Sequence, residues 1–158
     1  MRRPKQVLVF LFRKNENNEY EYCIFYRRKL NFWQAISGGV EDNETLVETV
    51  KREVLEETGI SVKDIIKLQS TSTIPVVNVT GDFTWGKDVY VVTEYSFGAF
   101  IENSNIILSN EHKKFEWLTY DKAYEKLKYD SNKMALWELN QRLLNNNYVI
   151  LNARTNVK

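Results

Sequence analysis

The segment from Thr45 to Gly59 constrains the fold most, because both ends of a helix are marked within it. Glu48 follows Thr45 by three residues, which is the spacing of a capping box at a helix N-terminus. Valines recur at helical spacing between the two ends, and Gly59 stands where a C-terminal cap belongs. We therefore predict a helix over Thr45–Thr58 with one apolar face.

The C-terminal end of this predicted helix is strongly acidic. On a helical wheel an arc of roughly 100° beside the valine face holds Glu53, Glu56 and Glu57. Like charges three and four residues apart repel, and anions at a helix C-terminus oppose the helix dipole. A divalent cation removes this repulsion, and Mg²⁺ combines a few carboxylates with substrate phosphates. The cluster therefore indicates a Mg²⁺ site, at which Mn²⁺ could substitute, open to a phosphorylated ligand.

The same glutamates have an ordinary alternative explanation. Exposed helix faces are commonly rich in Glu, and Arg52 or Lys51 could pair with Glu56 or Glu48 on the surface. The helix by itself leaves both explanations open.

The wider spacing resembles the Nudix box. Gly38 is followed after five residues by Glu44, and after seven more by the run REVLEETGI that begins at Arg52. A chance match to all these positions is on the order of one in ten million. The resemblance implies the Nudix fold, an α+β architecture with a mixed β-sheet sandwiched between helices. It also implies an Mg²⁺-dependent hydrolase that cleaves a diphosphate linked to another moiety.

The resemblance assigns roles within the box. It implies a loop-forming role or a backbone carbonyl ligand at Gly38, and metal ligands at Glu53, Glu56 and Glu57. Arg52 and Glu44 resemble the pair of residues that connects the helix to the loop in this family. For Arg52 a purely structural role and a direct catalytic role are equally open. The general base that the chemistry requires is a carboxylate beside the attacking water, and Glu53 or Glu57 could serve.

Glu111 is a further candidate for base or metal ligand. It precedes a predicted strand, close to where several Nudix members carry an additional glutamate, although it could also be a solvated loop acid. Its neighbour His112 is the single histidine of the chain. A lone histidine beside a strand is more often structural than catalytic, so His112 is retained only as a candidate substrate contact.

Three stretches outside the box resemble the dihydroneopterin triphosphate pyrophosphatases, also described as dATP pyrophosphohydrolases. The stretches are Arg27–Arg28 with Phe32–Gly38, Glu111–His112 leading to Trp117–Leu118, and Ser131–Asn132. The resemblance implies hydrolysis of dihydroneopterin triphosphate or dATP to the monophosphate and pyrophosphate. The alternatives are hydrolysis of dinucleoside polyphosphates, ADP-ribose or nucleotide sugars, and, in another class, a nucleotide-sensing module without catalysis.

Substrate contacts can be suggested from residue chemistry. Arg27, at a predicted strand end, could clamp a phosphate, because a guanidinium matches phosphate oxygens in pairs. Ser37 and Ser131 could donate hydroxyls, although a turn and a helix cap explain them equally well. Flat rings for stacking are offered by Trp33, Phe83 and Trp85, of which the last two are favoured because nearby glycines predict a loop.

The rest of the chain predicts a mixed α and β pattern. We expect Ser37–Gly39 to form a sharp turn or approach a ligand, and Val76–Lys87 to form a loop or the tip of a hairpin. Asp121 and Ser131 are the expected N-caps of the last two helices. The expected strands are Gln6–Arg13 and Tyr20–Arg28 as a hairpin, Ser61–Thr73, Asp88–Ile101 and Lys114–Leu118, and the expected final helices are Lys122–Lys128 and Asn132–Leu144.

Composition supports one domain over residues 1–158 with a sizeable core, since 43% of the residues are hydrophobic. The 22 Lys and Arg nearly balance the 21 Asp and Glu, so the net charge does not favour nucleic acid, including RNA ends, or a membrane surface as the binding partner. The single cysteine, Cys23, excludes an internal disulfide and fits a reducing compartment. We expect a cytoplasmic protein that acts on a small nucleoside-polyphosphate-like molecule, with its oligomeric state open.

Overall fold

The computed structural model describes residues 1–102 and 105–151. Within these residues eight strands form one mixed sheet, accompanied by four helices. The strands are β1 Arg2–Lys14, β2 Tyr20–Arg27, β3 Trp33–Gln34, β4 Ile36–Glu41, β5 Asp64–Pro75, β6 Val91–Phe100, β7 His112–Leu118 and β8 Ile150–Leu151. The helices are α1 Leu46–Thr58, α2 Val76–Thr80, α3 Tyr120–Lys126 and α4 Asp130–Leu144.

Strand β1 organises the sheet because it pairs with three other strands. It runs parallel to β6 and antiparallel to β2 and β4. Its first half pairs with β4, as in the pair Gln6–Gly39, and its second half pairs with β2, as in the pair Leu11–Cys23. The expected hairpin of β1 and β2 is therefore confirmed.

Alternation along β1 builds a core on each face of the sheet. One face carries Val7, Val9 and Leu11, which pack against the buried valines of α1. The other face carries Leu8, Phe10 and Phe12, which pack with leucines of α4. The mixed sheet sandwiched between helices, and with it the α+β class, is confirmed.

The helix α1 begins and ends as its sequence predicts. The Thr45 hydroxyl accepts a hydrogen bond from the Glu48 N–H at 3.1 Å, and the Glu48 carboxylate accepts one from the Thr45 N–H at 2.9 Å. At the other end Gly59 has a φ of 75° and donates its N–H to the Leu55 carbonyl at 2.8 Å. Both ends are thus stabilised by residues inside the segment itself.

Two expectations for the middle of the chain were only partly correct. Ser37–Gly39 does not form a turn but lies within β4, because these residues pair with β1, and all three line the cleft described below. Val76–Lys87 does lie at the tip of the antiparallel hairpin of β5 and β6, but it is not loop throughout, since α2 begins it and ends at Thr80 before Gly81, whose φ is 85°. The long-range pairing of β4 with β1 supplies backbone hydrogen bonds that local composition does not reveal.

The expected caps of the last helices were also wrong. Helix α3 begins at Tyr120 after Thr119, and α4 begins at Asp130 after Tyr129, so Asp121 and Ser131 lie in the first helical turns. The chain before α4 is held against β3, where the Lys128 N–H donates to the Trp33 carbonyl at 3.2 Å. This contact belongs to the extended backbone that joins α3 to α4.

Only some of the apolar residues of α4 pack on the sheet. Leu136 and Leu139 are fully buried, whereas Met134 is 56% and Trp137 48% exposed. Among the described residues no helix is both long and apolar enough to cross a bilayer.

Glu138 joins α4 to an irregular stretch of β5. The pairing of β5 with β6 shifts register between Lys67 and Thr71. In that gap the N–H groups of Gln69 and Ser70 each donate to the Glu138 carboxylate at 2.7 Å. Burial alone would raise the pKa of Glu138, but the hydrogen bonds from Gln69, Ser70 and Arg142 outweigh it and lower the pKa.

We predict that Glu138→Gln lowers the free energy of unfolding by about 2 kcal/mol at pH 7, since it removes hydrogen bonds to a charged group. The lowered pKa in the folded state means that the stabilisation is complete above about 4.5, the ordinary pKa of a glutamate, and is lost as the pH falls through the lower folded value. Urea unfolding between pH 7 and pH 3 should therefore show the two proteins converging in acid. Glu125→Gln, an exposed glutamate on α3, is the control and should change little. A difference for Glu138→Gln that is independent of pH would contradict this account.

Candidate active site

An open cleft with a volume of about 900 Å³ lies beside the acidic end of α1. Strands β4, β1, β6 and β5 contribute to its lining, as does the first turn of α4. Of the residues predicted as site residues from the sequence, those that line it are Arg27, Ser37, Gly38, Arg52, Glu53, Glu56, Glu57, Glu111 and Ser131. The cleft therefore gathers in one place groups that the sequence separates by as many as 104 positions, from Arg27 to Ser131.

Gly38 brings the backbone of β4 against Glu53. A methyl group at Gly38 would overlap the Glu53 carboxyl group. The close approach therefore requires a residue without a side chain at this point of β4.

Arg52 connects α1 to β4 and to the loop between them. Its Nε donates to Glu44 Oε2 at 2.7 Å, its Nη2 to the Gly39 carbonyl at 2.7 Å, and its Nη1 to Glu53 Oε1 at 2.8 Å. The hydrogen bond from Arg52, with the backbone of Glu41 and the Thr49 hydroxyl, lowers the pKa of Glu44 to about 2 against the effect of burial. One guanidinium thus fixes the glycine strand and the acidic helix relative to each other.

Glu53 and Glu56 differ sharply in environment. Glu53 is only 8% exposed, and burial raises its pKa to about 7, with Arg52 opposing the shift and the charges of Glu56 and Glu57 adding to it. The side chain of Glu56 is 54% exposed and contacts Arg52 at 3.4 Å. A buried carboxylate beside two like charges is stabilised by added positive charge.

Two residues at and just before the start of β7, His112 and Ser109, form hydrogen bonds with Glu57. Its Oε2 accepts hydrogen bonds from Ser109 Oγ at 2.5 Å and from His112 Nδ1 at 2.9 Å. Burial would raise the pKa of Glu57, but these hydrogen bonds and the charge of Arg27 lower it. Because a carboxylate can only accept, the Nδ1 of His112 carries the proton.

His112 does not contact the cleft. It is 2% exposed and absent from the lining, and its Nε2 is buried without a hydrogen-bond partner among the described residues. The expected contact of His112 with substrate is therefore wrong, and the side chain positions Glu57 instead. The sequence could not show this positioning role, because Glu57 lies 55 positions before His112.

Arg27 and Glu111 face the cleft with their charged groups free. Neither side chain has an ion pair or a side-chain hydrogen bond within residues 1–102 and 105–151, although the charge of Arg27 acts on Glu57. Glu111 is exposed and its backbone carbonyl accepts from the Arg28 N–H at 2.8 Å. One cation and one anion are thus available to a ligand at this end of the cleft.

The aromatic side chains of the cleft are not the ones expected from the sequence. Trp33 packs on Tyr26 with ring centroids 5.2 Å apart, Phe83 packs on Tyr90 at 5.6 Å, and Trp85 donates its Nε1 hydrogen to the Arg2 carbonyl. None of these three lines the cleft. Its lining includes Phe32 and Tyr129, whose rings lie 5.0 Å apart.

Two buried polar side chains on the floor of the cleft were missed. Gln6 of β1 and Glu94 of β6 are 8% and 4% exposed, and both line the cleft. Glu94 is the single charged residue of Val91–Phe100, which is the signal that could have identified it, since a buried polar group must find a partner. Gln6 follows Lys5 in a polar segment and carries no such signal.

The donor set at the acidic end of the cleft fits a hard divalent cation. It offers only oxygen atoms, from three carboxylates of α1, from Glu111 and from the β4 backbone, and Mg²⁺ prefers such ligands. In the part of the chain that the structure describes, no three His, Cys, Asp or Glu side chains already converge as metal ligands. Instead Arg52 contacts both Glu53 and Glu56, so a cation would compete with its guanidinium for those oxygens.

Two known enzymes are similar to this chain over most of its length. The chain is 27% identical to the dihydroneopterin triphosphate diphosphatase of Escherichia coli K12 over 139 residues, covering 85% of this chain and 91% of the relative. It is also 27% identical to the asymmetrical bis(5'-nucleosyl)-tetraphosphatase of Rattus norvegicus over 134 residues, covering 84% and 87%.

A solved structure and a family model extend the agreement to the fold. A crystal structure from Listeria monocytogenes, described as a NUDIX hydrolase, superposes with a TM-score of 0.83 at 39% identity, covering 94% of this chain and 100% of that one. The family model of the NUDIX domain matches residues 2–137. Proteins of this family act on small nucleotide-like substrates and generally use divalent metal ions. With its box at the edge of the cleft and its sheet between helices, this chain belongs to the Nudix family of hydrolases.

Proposed function

We propose that the chain is an Mg²⁺-dependent pyrophosphohydrolase for a small nucleoside-triphosphate-like molecule, which it cleaves to the monophosphate and pyrophosphate. The observation that carries this proposal is that Glu53, Glu56, Glu57 and Glu111 all line the same cleft. A diphosphate carries several negative charges, so it cannot bind among four carboxylates unless a cation lies between them.

The metal would be held by the carboxylates of Glu53, Glu56 and Glu57, with Glu111 and the Gly38 carbonyl as further ligands. When bound, Mg²⁺ neutralises the diphosphate oxygens and lowers the pKa of a nearby water molecule. Arg52 would support this site, because its hydrogen bonds to Glu53 and to the Gly39 carbonyl fix the positions of these two groups relative to each other.

A carboxylate beside the attacking water would accept its proton, and Glu53, Glu57 and Glu111 are the candidates. Glu57 is held in place by Ser109 and His112, which favours a fixed role such as ligation. Glu111 is exposed and its carboxylate has no partner within the described residues, so it is free to turn toward a bound substrate.

We expect three side chains to bind the phosphates. Arg27 lines the cleft with its guanidinium free of ion pairs in the described chain, and it can clamp two phosphate oxygens at once. Ser37 of β4 and Ser131 in the first turn of α4 line the same cleft and could donate hydroxyl hydrogens. The N-terminal turn of α4 adds backbone N–H groups that favour an anion.

The relatives support two substrate classes. The likeness to a dihydroneopterin triphosphate diphosphatase supports a triphosphate ester such as dihydroneopterin triphosphate or dATP. The likeness to a bis(5'-nucleosyl)-tetraphosphatase supports a dinucleoside polyphosphate as the second candidate. ADP-ribose and nucleotide sugars remain alternatives within the enzyme class, and a nucleotide-sensing module remains the alternative outside it.

We predict that, with Mg²⁺, purified protein releases pyrophosphate from dihydroneopterin triphosphate and from dATP faster than it turns over diadenosine tetraphosphate, ADP-ribose or a nucleotide sugar. Product identity by chromatography and the specificity constant kcat/KM for each compound would be measured. Faster turnover of the tetraphosphate would favour the second substrate class. Binding of these compounds without any phosphate release, with Mg²⁺ or Mn²⁺, would favour the sensing module and contradict the proposed enzyme.

We predict that Glu56→Gln lowers kcat by on the order of 100-fold, since charge stabilisation through a bound metal ion is worth several kcal/mol. Glu56 is chosen because its exposed side chain has only long contacts with Arg52, whereas Glu53 and Glu57 are buried and hydrogen-bonded. The melting temperature should therefore stay close to that of the wild type. Glu125→Gln, on the surface of α3, is the matched control for the loss of one carboxylate. Unchanged turnover in Glu56→Gln would exclude this residue from the metal site.

A further inference from the structure

A row of residues crosses four neighbouring strands on the floor of the cleft. Gly39 of β4 pairs with Gln6 of β1, Gln6 with Glu94 of β6, and Glu94 with Ser72 of β5. All four residues line the cleft. Adjacent strands lie about 4.8 Å apart, so the backbone of Glu94 is about 10 Å from Gly39 and the acidic end.

Glu94 is a buried carboxylate that has no role in the chemistry proposed above. It is 4% exposed, and its Oε2 accepts a hydrogen bond from Gln6 Nε2 at 2.6 Å. Its other oxygen, Oε1, has no hydrogen-bond partner among residues 1–102 and 105–151. This oxygen is not sealed off from the cleft, so it is available to a ligand as an acceptor.

The orientation of the Gln6 amide is fixed by its other neighbour. Arg2 Nη2 donates to Gln6 Oε1 at 2.9 Å. Because a guanidinium can only donate, the Gln6 oxygen must face Arg2 and its NH₂ group must face Glu94. The relay of Arg2, Gln6 and Glu94 therefore presents an acceptor, not a donor, to whatever enters the cleft.

We propose that Glu94, oriented by Gln6, reads the ring of the substrate by accepting two N–H hydrogens from a 2-amino-4-oxo pyrimidine edge, the edge shared by guanine and pterins. This inference rests on the proposed function, because it assumes that the phosphates bind at the acidic end. A ring at Glu94 would then lie about two strand spacings from the backbone of Gly39, with the sugar or propyl linker between.

The same geometry disfavours adenine, so of the two triphosphates proposed above it favours dihydroneopterin triphosphate over dATP. The 2-amino-4-oxo edge has two adjacent donors, an N–H and an NH₂, which match the two oxygens of a carboxylate. The corresponding edge of adenine has one donor beside a ring nitrogen that is an acceptor, and this nitrogen would face a carboxylate oxygen without a hydrogen between them. Burial raises the pKa of Glu94, with Gln6 opposing the shift, and two N–H donors from a ligand would favour the ionised form.

Binding of two nucleoside monophosphates tests the inference without requiring catalysis. We expect titration calorimetry to give wild-type protein at least about tenfold higher affinity for dGMP than for dAMP, the discrimination typical of one bidentate contact to a base edge. Glu94→Gln, which presents one donor and one acceptor, should reduce this ratio to about one or invert it. Glu94→Asp keeps both acceptors and should retain a preference for dGMP. Glu125→Gln is the remote control and should match the wild type.

Equal affinity of the wild-type protein for dGMP and dAMP would overturn the inference, and this comparison needs no variant to fold. A full preference retained by folded Glu94→Gln would overturn it as well. Pyrophosphate release is measured separately with dGTP, dATP and dihydroneopterin triphosphate. A preference for dGMP without turnover of any triphosphate would leave this inference intact and contradict the proposed function. Turnover without any preference for the 2-amino-4-oxo ring would overturn this inference and support the proposed function. The ratio of kcat/KM for dihydroneopterin triphosphate and dGTP distinguishes a pterin from a guanine.

Discussion

The hydrogen bonds of Arg52 are the constraint on which the cleft depends. One guanidinium contacts the loop through Glu44, the strand β4 through the Gly39 carbonyl, and the acidic helix through Glu53. Its planar group can satisfy three directions at once, which an ammonium could not do with the same geometry. Because these contacts fix β4 against α1, the backbone at Gly38 can lie against Glu53, and the carboxylates of the box share one edge of the cleft.

Features that are encoded within a few residues could be predicted from the sequence. The capping box and the glycine cap of α1 act over three or four positions, so both helix ends are correct. The acidic arc follows from helix geometry, and the structure does bring Glu53, Glu56 and Glu57 to the cleft together. The hairpin of β1 and β2 is likewise local, since a short polar turn joins two apolar strands.

Features that depend on distant partners could not be predicted in the same way. The glycines near position 38 indicated a turn, but pairing with β1 makes them a strand. For His112 a structural role and a substrate contact were both open, because its partner Glu57 is contributed by another element. The role of Glu94, in a strand rich in Val, Tyr and Phe, could not be predicted locally, because only the register of β1 and β6 brings it to Gln6.

The parallel pairing of β1 with β6 has a consequence for how the chain reaches this structure. The side chains of Gln6 and Glu94 meet across 88 positions, whereas α1 and the first hairpin close over short distances. Contacts of long sequence separation form slowly, because the intervening chain must lose entropy before they are made. During synthesis from the N-terminus, the box helix can form while β1 still has an open edge. The floor of the cleft is assembled only after β6 has left the ribosome.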